Sequence, residues 1–188
     1  MDALINYLLQ FGQLNHQQIE FIKSKARVVG LKKNKYFSEA GKVANQVAFV
    51  EEGVLRVCYY SNKAKELTKY FIDENNFAVD LNSYYSQSPS TEYIQAVTDS
   101  KLVVLTREVL KEFSAEIVGW DTIIKNVTAK SLLEKVNRIS PMMAEDATSR
   151  YLHFLEKFPH VANRVPLSML ASYLGITQSS LSRIRKSS

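Results

Sequence analysis

Chemistry-bearing side chains gather most densely at the C-terminal end. Between residues 177 and 186 stand Thr177, Gln178, Ser179, Ser180, Ser182, Arg183, Arg185 and Lys186, with only Leu181 and Ile184 apolar. Hydroxyls, an amide and three cations without an acid are groups that bind anionic and base-edge acceptors. Arg183 is the best candidate for a bidentate contact to guanine and Gln178 a reader of adenine, with Ser180 and Ser182 on the same outward face. Thr177, Ser179, Arg185 and Lys186 suit phosphate oxygens. The charge balance agrees, because residues 161–188 hold Arg164, Arg183, Arg185 and Lys186 and no acid, within a chain whose net charge is +5. An anionic partner is one reading of that balance, and a solvated basic helix is the plainer one.

Other chemistries lack their parts. The single cysteine, Cys58, cannot close an internal disulfide or supply an all-cysteine metal site, and in an alternating strand it reads as a small buried hydrophobe. His153 and His160 are separated by Phe158-Pro159 and His16 is remote, so no metal site is expected. No carboxylate pair, nucleophile triad or glycine-rich phosphate loop supports an enzyme. With 188 residues, 46% hydrophobic and 23% charged, the chain reads as an ordinary globular protein of one or two domains. Its apolar runs fall far short of the ~20 residues that span a bilayer. Met1-Asp2-Ala3-Leu4 does not open a signal peptide, so a cytoplasmic protein with no membrane partner is expected.

The elements that must position these residues can be read from period. Leu4, Tyr7, Leu8, Phe11, Ile19 and Ile22 have helical spacing, with Asn15 a cap for the second piece. From Arg27 to Thr106 the period is two. Short apolar runs at Val28-Val29, Tyr36-Phe37, Val47–Val50, Val54–Tyr60, Leu67–Ile72, Tyr93–Val97 and Leu102–Leu105 alternate with turn formers such as Glu51-Glu52-Gly53. Seven or eight such strands predict an antiparallel sandwich, barrel or roll. The basic stretch Lys23–Lys35 reads as a solvated sheet edge guarded by lysines. After Thr106, an N-cap, helices return, and Trp120, Ile123, Ile124, Val127, Leu132, Leu133, Val136 and Ile139 line one broad stripe. That stripe suits a dimer-forming helix, with a core helix as the plainer alternative. Ser140-Pro141 is expected to stop or kink it and to mark a hinge.

Past the hinge, Pro166 suits a helix start, Leu170 and Leu174 form an apolar face, and Ala171 allows close helix crossing. Gly175 supplies a left-handed end, Ile176 plugs the gap, and Thr177 caps the next helix. This is the helix-turn-helix pattern, and double-stranded DNA is the partner it predicts.

A β-rich roll, a long helix and a C-terminal helix-turn-helix in this order resemble the CRP/FNR family of bacterial transcription regulators over essentially the whole chain. Val165-Pro166-Leu167, Ala171–Thr177 and Leu181–Lys186 are very like the family's short-tailed members, and Gln46–Arg56 looks like its strand–glycine–strand segment. The resemblance implies an α+β chain with residues 1–115 as an effector domain, 116–140 as a dimerisation helix and 141–188 as the DNA-binding domain. It implies a homodimer on a two-fold site, with Trp120, Ile123, Ile124, Val127 and Val136 at the dimer helix, and RNA polymerase as a further partner. The chain as given ends four residues past Ile184, so no wing is expected after the recognition helix, and modest affinity with steep salt dependence follows.

The family's cyclic-nucleotide cassette is where this sequence departs. Val79 stands in place of its glycine, Asp80 of its glutamate and Ser90 of its arginine, while Thr91 keeps the hydroxyl; Leu81 and Tyr93, with Tyr84 and Tyr85 nearby, complete the degenerate pocket. Residues 70–100 contain no Lys or Arg and five acids. A buried phosphate wants charge-assisted donors. Cyclic AMP or GMP in the usual mode is therefore not expected, and an unknown small effector takes its place if there is one. The competing reading keeps the ligand module but gives the helix-turn-helix to protein contacts.

Overall fold

The computed structural model describes residues 1–62 and 64–187, and of 137–144 the backbone alone. Two helices open the chain, α1 (Asp2–Leu8) and α2 (His16–Lys25). At α2 the Gln18 N–H donates to Asn15 and the Asn15 N–H donates to the Gln18 side chain, a closed capping box. Eight strands follow: β1 (Arg27–Leu31), β2 (Tyr36–Ser38), β3 (Gln46–Glu52), β4 (Leu55–Tyr60), β5 (Glu66–Ile72), β6 (Phe77–Ala78), β7 (Tyr93–Ala96) and β8 (Ser100–Thr106), with α3 (Leu81–Ser86) between β6 and β7. The sequence pattern anticipates every strand but the two-residue β6, and it does not anticipate α3. Both lie in a stretch too short to show a period.

The strands build two antiparallel sheets, in the orders β1-β8-β3-β6 and β2-β7-β4-β5. Alternation along them sorts three apolar layers. Ala48, Val50, Leu55, Val57, Ile94, Leu102 and Val104 fill the space between the sheets. Phe49, Val103 and Leu105 point out of the first sheet, where α1, α2, α4 (Arg107–Glu116) and α5 (Trp120–Ala144) cover them. Phe71 joins Val54 and Val97 on the second sheet's side to a third cluster. There it meets the C-terminal helices α6 (Ala147–Lys157), α7 (Pro159–Ala162), α8 (Leu167–Tyr173) and α9 (Gln178–Ser187). The chain is thus an α+β roll with a helical layer on each side. β1 is an edge strand whose neighbouring lysines Lys25 and Lys32 pair with Glu112 and Asp99, which matches the reading of a charged, solvated edge.

Local chemistry explains the joints. Thr106 caps α4 by accepting from the Val109 N–H at 3.4 Å. Gly53, between β3 and β4, has φ +104°, and a Cβ there would stand 2.7 Å from the Ser100 Cα, so only glycine fits.

Two expectations about the long helix need correction. Its backbone stays helical through residues 140–141 to Ala144, so Ser140-Pro141 does not end it; those side chains, and that of Ile139, lie outside the described residues. The stripe also divides. Trp120, Ile123 and Val127 are 2%, 1% and 6% exposed in the chain's own core, beneath α1 and α4, and cannot form a dimer surface. Ile124 packs partly against the same core. One helical face further along, Ala129, Leu132, Leu133 and Val136 stand exposed at spacings i, i+3, i+4, i+7.

Candidate nucleic-acid interface

The helix-turn-helix is closed by backbone chemistry. At the end of α8 the Ile176 N–H donates to the Ala171 carbonyl at 3.0 Å and the Gly175 N–H to the Ser172 carbonyl at 3.2 Å. With Gly175 at φ +70°, this is a complete Schellman motif. The Thr177 hydroxyl then caps α9 by accepting from the Ser180 N–H at 3.1 Å. Pro166 sits at the N-cap of α8, one residue before the first-turn position that the sequence reading gave it. Leu170, Ala171, Leu174 and Leu181 are buried where the two helices cross, and Ile176 and Ile184 pack against them.

Burying Leu181 and Ile184 turns the rest of α9 outward. Gln178, Ser179, Arg183, Arg185 and Lys186 are exposed, as is Thr177, while Ser180 and Ser182 are half-buried. Among the described residues none of the three cations has an ion-pair partner. Arg164 differs. Its guanidinium grips Glu74 with two bonds, Nη2–Oε1 at 2.6 Å and Nη1–Oε2 at 2.9 Å. One of the four cations in residues 161–188 is therefore spent inside the chain.

The cassette positions present the opposite picture. Asp80 caps α3 by accepting from the Ser83 N–H at 3.1 Å, and its other oxygen lies 2.6 Å from the Ser90 hydroxyl. Ser90 is 4% exposed and accepts in turn from the Glu92 N–H at 3.0 Å. The carboxylate and the hydroxyl answer one another, and Lys69 pairs with the Glu92 side chain. Val79 and Asp80 border a cavity of about 270 Å³, while Val79, Leu81 and Tyr84 border a larger groove of about 670 Å³ between α3, α4 and α5. Only the second reaches the usual ligand-pocket range of roughly 300–1,000 Å³. Arg107 holds its guanidinium 4.1 Å from the Tyr84 ring centroid and donates to the Tyr84 carbonyl. Thr91 is exposed, and Tyr93 lines neither space: its ring packs between Tyr36 and Tyr60 at 5.3 and 5.7 Å. Of the pocket residues inferred from the sequence, Val79, Asp80 and Leu81 border one or both of these spaces, while Ser90, Thr91 and Tyr93 line neither. Tyr93 sits instead in a tyrosine cluster of the second sheet.

Sequence reasoning missed a buried polar network beside that cluster. Arg56, 3% exposed in the middle of β4, donates to Gln95 Oε1 from Nε at 2.9 Å and to Thr68 Oγ1 from Nη1 at 3.1 Å, and pairs with Glu66. The signal was there: alternation puts Arg56 opposite to Leu55 and Val57, which face the inner core. Cys58 is 1% exposed and burial raises its thiol pKa, consistent with a core role. Among the described residues no cluster of three His, Cys, Asp or Glu is arranged to hold a metal, and no helix is long and apolar enough to cross a membrane.

With this geometry in hand, residues 28–116 match the family model of the cyclic nucleotide-binding domain. Comparison with curated proteins found no match. Three solved structures share the fold over most of both chains. FixK2 from Bradyrhizobium japonicum has a TM-score of 0.74 at 16% identity, over 86% of this chain and 83% of that one. The c-di-GMP responsive global regulator CLP of Xanthomonas campestris has a TM-score of 0.72 at 15% identity, over 92% and 91%. A transcriptional regulator described as of the crp/fnr family from Eubacterium rectale has a TM-score of 0.70 at 18% identity, over 93% and 83%.

Proposed function

We propose that this chain, which carries a cyclic nucleotide-binding domain over residues 28–116 and has the fold of the CRP/FNR regulators, is a homodimeric, cytoplasmic, DNA-binding transcription regulator. The observation that carries the reading is α9. Its apolar side is sealed into the chain, and its other side offers Gln178, Arg183, Arg185 and Lys186 to a partner, with no acid among the described residues paired to the three cations. Such a helix, entered through a capped N-terminus from a tight turn, suits the major groove. Arg183 and Gln178 read bases, and Thr177, Ser179, Arg185 and Lys186, with Ser180 and Ser182 beside them, hold the phosphate backbone.

The exposed stripe Ala129, Leu132, Leu133 and Val136 supports the homodimer, because a second copy of α5 covers it in the manner of a coiled-coil seam. The same copy closes the open side of the 670 Å³ groove, whose wall includes Leu132. Cyclic AMP and GMP are not the effector in the usual mode, since Ser90 offers a phosphate no charge and residues 70–100 carry five acids and no Lys or Arg. A small effector, where one acts, has the groove beside Tyr84 and Arg107 available to it. Contact with RNA polymerase is part of the same reading.

Selection of random-sequence DNA by the purified protein at two salt concentrations tests this. The expected result is a two-fold-related motif with half-sites about 10 base pairs apart, or a multiple of that. Retention without sequence preference would sink the regulator reading. Absence of any retention would favour the helix-turn-helix as a protein contact.

A further inference from the structure

Resting on that DNA-binding reading, we propose that Glu74, Arg164, Ser172 and Phe71 are positioning residues for DNA recognition: they fix the helix-turn-helix on the second sheet in one orientation, with its reading face turned outward. Three kinds of contact meet at this seam. Strand β5 is the edge of the second sheet, and the Thr68 N–H donates across the domain boundary to the Ser172 hydroxyl at 2.9 Å. The Glu74 carboxylate, after β5, takes the two-bonded fork of Arg164 and also accepts from the Gly53 N–H at 2.7 Å. One anion thereby ties the β3–β4 turn, the end of β5 and the entry to α8. The Phe71 ring packs on Phe154 and Tyr173, at 6.1 and 5.6 Å between centroids.

The directions of these contacts decide what the seam does. Ser172 and Tyr173 lie on α8 and face β5, whereas Gln178, Ser179, Arg183 and Lys186 on α9 remain exposed with the seam closed. The seam therefore does not occlude the reading face. Thr68 also accepts from Arg56, so the buried network of the second sheet abuts the seam through one residue.

A two-fold DNA site asks two reading heads to meet successive major-groove faces about 34 Å apart. A head that swings on its tether lowers the effective concentration of the second contact, while one held on a rigid roll does not. The seam should thus matter for two half-sites and hardly at all for one. Arginine suits the task because its planar fork fixes an angle, which a lysine point charge does not.

The test compares anisotropy binding of the full chain to two duplexes, one with both selected half-sites and one with a single half-site. Arg164→Gln and Ser172→Ala are expected to bind the two-half-site duplex about tenfold more weakly and the single half-site within about twofold of wild type. Arg164→Lys should fall between. Equal weakening on both duplexes would overturn the positioning role in favour of general stability. Tighter binding would mark the seam as an inhibitory latch, and unchanged binding would make it idle; either result overturns the proposal. Hydrogen exchange at the Thr68 amide keeps the two readings separate, since it should quicken in Ser172→Ala whether or not DNA is bound. If the wild type binds neither duplex while that amide is protected, the DNA reading fails and the seam remains only a structural joint.

Discussion

The outer face of α9 and the cassette around Asp80 use the same kinds of polar group to opposite ends. At α9 the fold buries the apolar side chains, ties the Thr177, Ser179 and Ser180 hydroxyls to one another at the cap, and leaves Gln178, Arg183, Arg185 and Lys186 exposed. At the cassette it spends the polar ones: Asp80 caps α3 and meets Ser90, Ser90 meets Glu92, and Glu92 meets Lys69. A binding site needs hydrogen-bonding capacity that the chain itself has not used. By that measure the C-terminal helix is open to a ligand and the nucleotide cassette is closed.

The sharpest way to break the contrast is at α9. Arg183→Glu should weaken binding to a selected DNA site by roughly ten- to a hundredfold or more, through loss of a bidentate contact and repulsion from phosphate. Its unfolding free energy should stay within about 0.5 kcal/mol of wild type, because the side chain is exposed and has no ion-pair partner among the described residues. A matching loss of stability would show that α9 spends this arginine internally after all.

The buried side of the same helix should behave in reverse. Leu181 is fully buried in the cluster that also holds Phe71 and Leu174. Leu181→Ala is expected to cost about 2–5 kcal/mol in urea unfolding, since a cavity opens where α8, α9 and the roll meet.

A smaller effect is expected at the cassette. Asp80→Ala removes the cap of α3 and the partner of Ser90, at a cost of about 0.5–2 kcal/mol. Calorimetric titration of the wild type with cyclic AMP should give no heat of binding at micromolar protein, because Ser90 carries no charge for a phosphate and its hydroxyl is already bonded to Asp80. Tight binding there would contradict the closed-cassette view.

The smallest effect is a pH dependence at the seam. Burial pushes the Glu74 carboxyl up, but the Arg164 fork and the Gly53 N–H outweigh it and hold the group below its ordinary range. A carboxyl lowered by folding stabilises above its unfolded pKa, and that contribution fades as pH falls through the folded value. The gap in urea midpoint between wild type and Glu74→Gln should thus be present at neutral pH and shrink once pH drops below about 4.3. A gap that persists in acid would assign the effect to packing.

Much of this was legible in the sequence because period and turn chemistry are local. The strands of the roll, the Asn15 and Thr106 caps, the Gly175 turn and the outward face of α9 all follow from spacings within a dozen residues. What escaped depends on partners far along the chain. Arg164 looks like one more DNA-facing cation until Glu74, ninety residues earlier, is seen to hold it. Arg56 and Gln95 are polar residues in strands whose burial is set by pairing between β4 and β7. Periodicity presents the stripe of α5 as one face because it does not say which neighbour covers it; the roll takes Trp120, Ile123 and Val127 and leaves Leu132, Leu133 and Val136 exposed.

The most direct test of the contrast is one hydrogen-exchange comparison of the free protein, the protein with its selected DNA, and the protein with cyclic AMP. The account predicts that DNA slows exchange across residues 177–186 and that cyclic AMP leaves residues 79–93 unchanged. Protection of the cassette by the nucleotide, or DNA protection that bypasses α9, would contradict it.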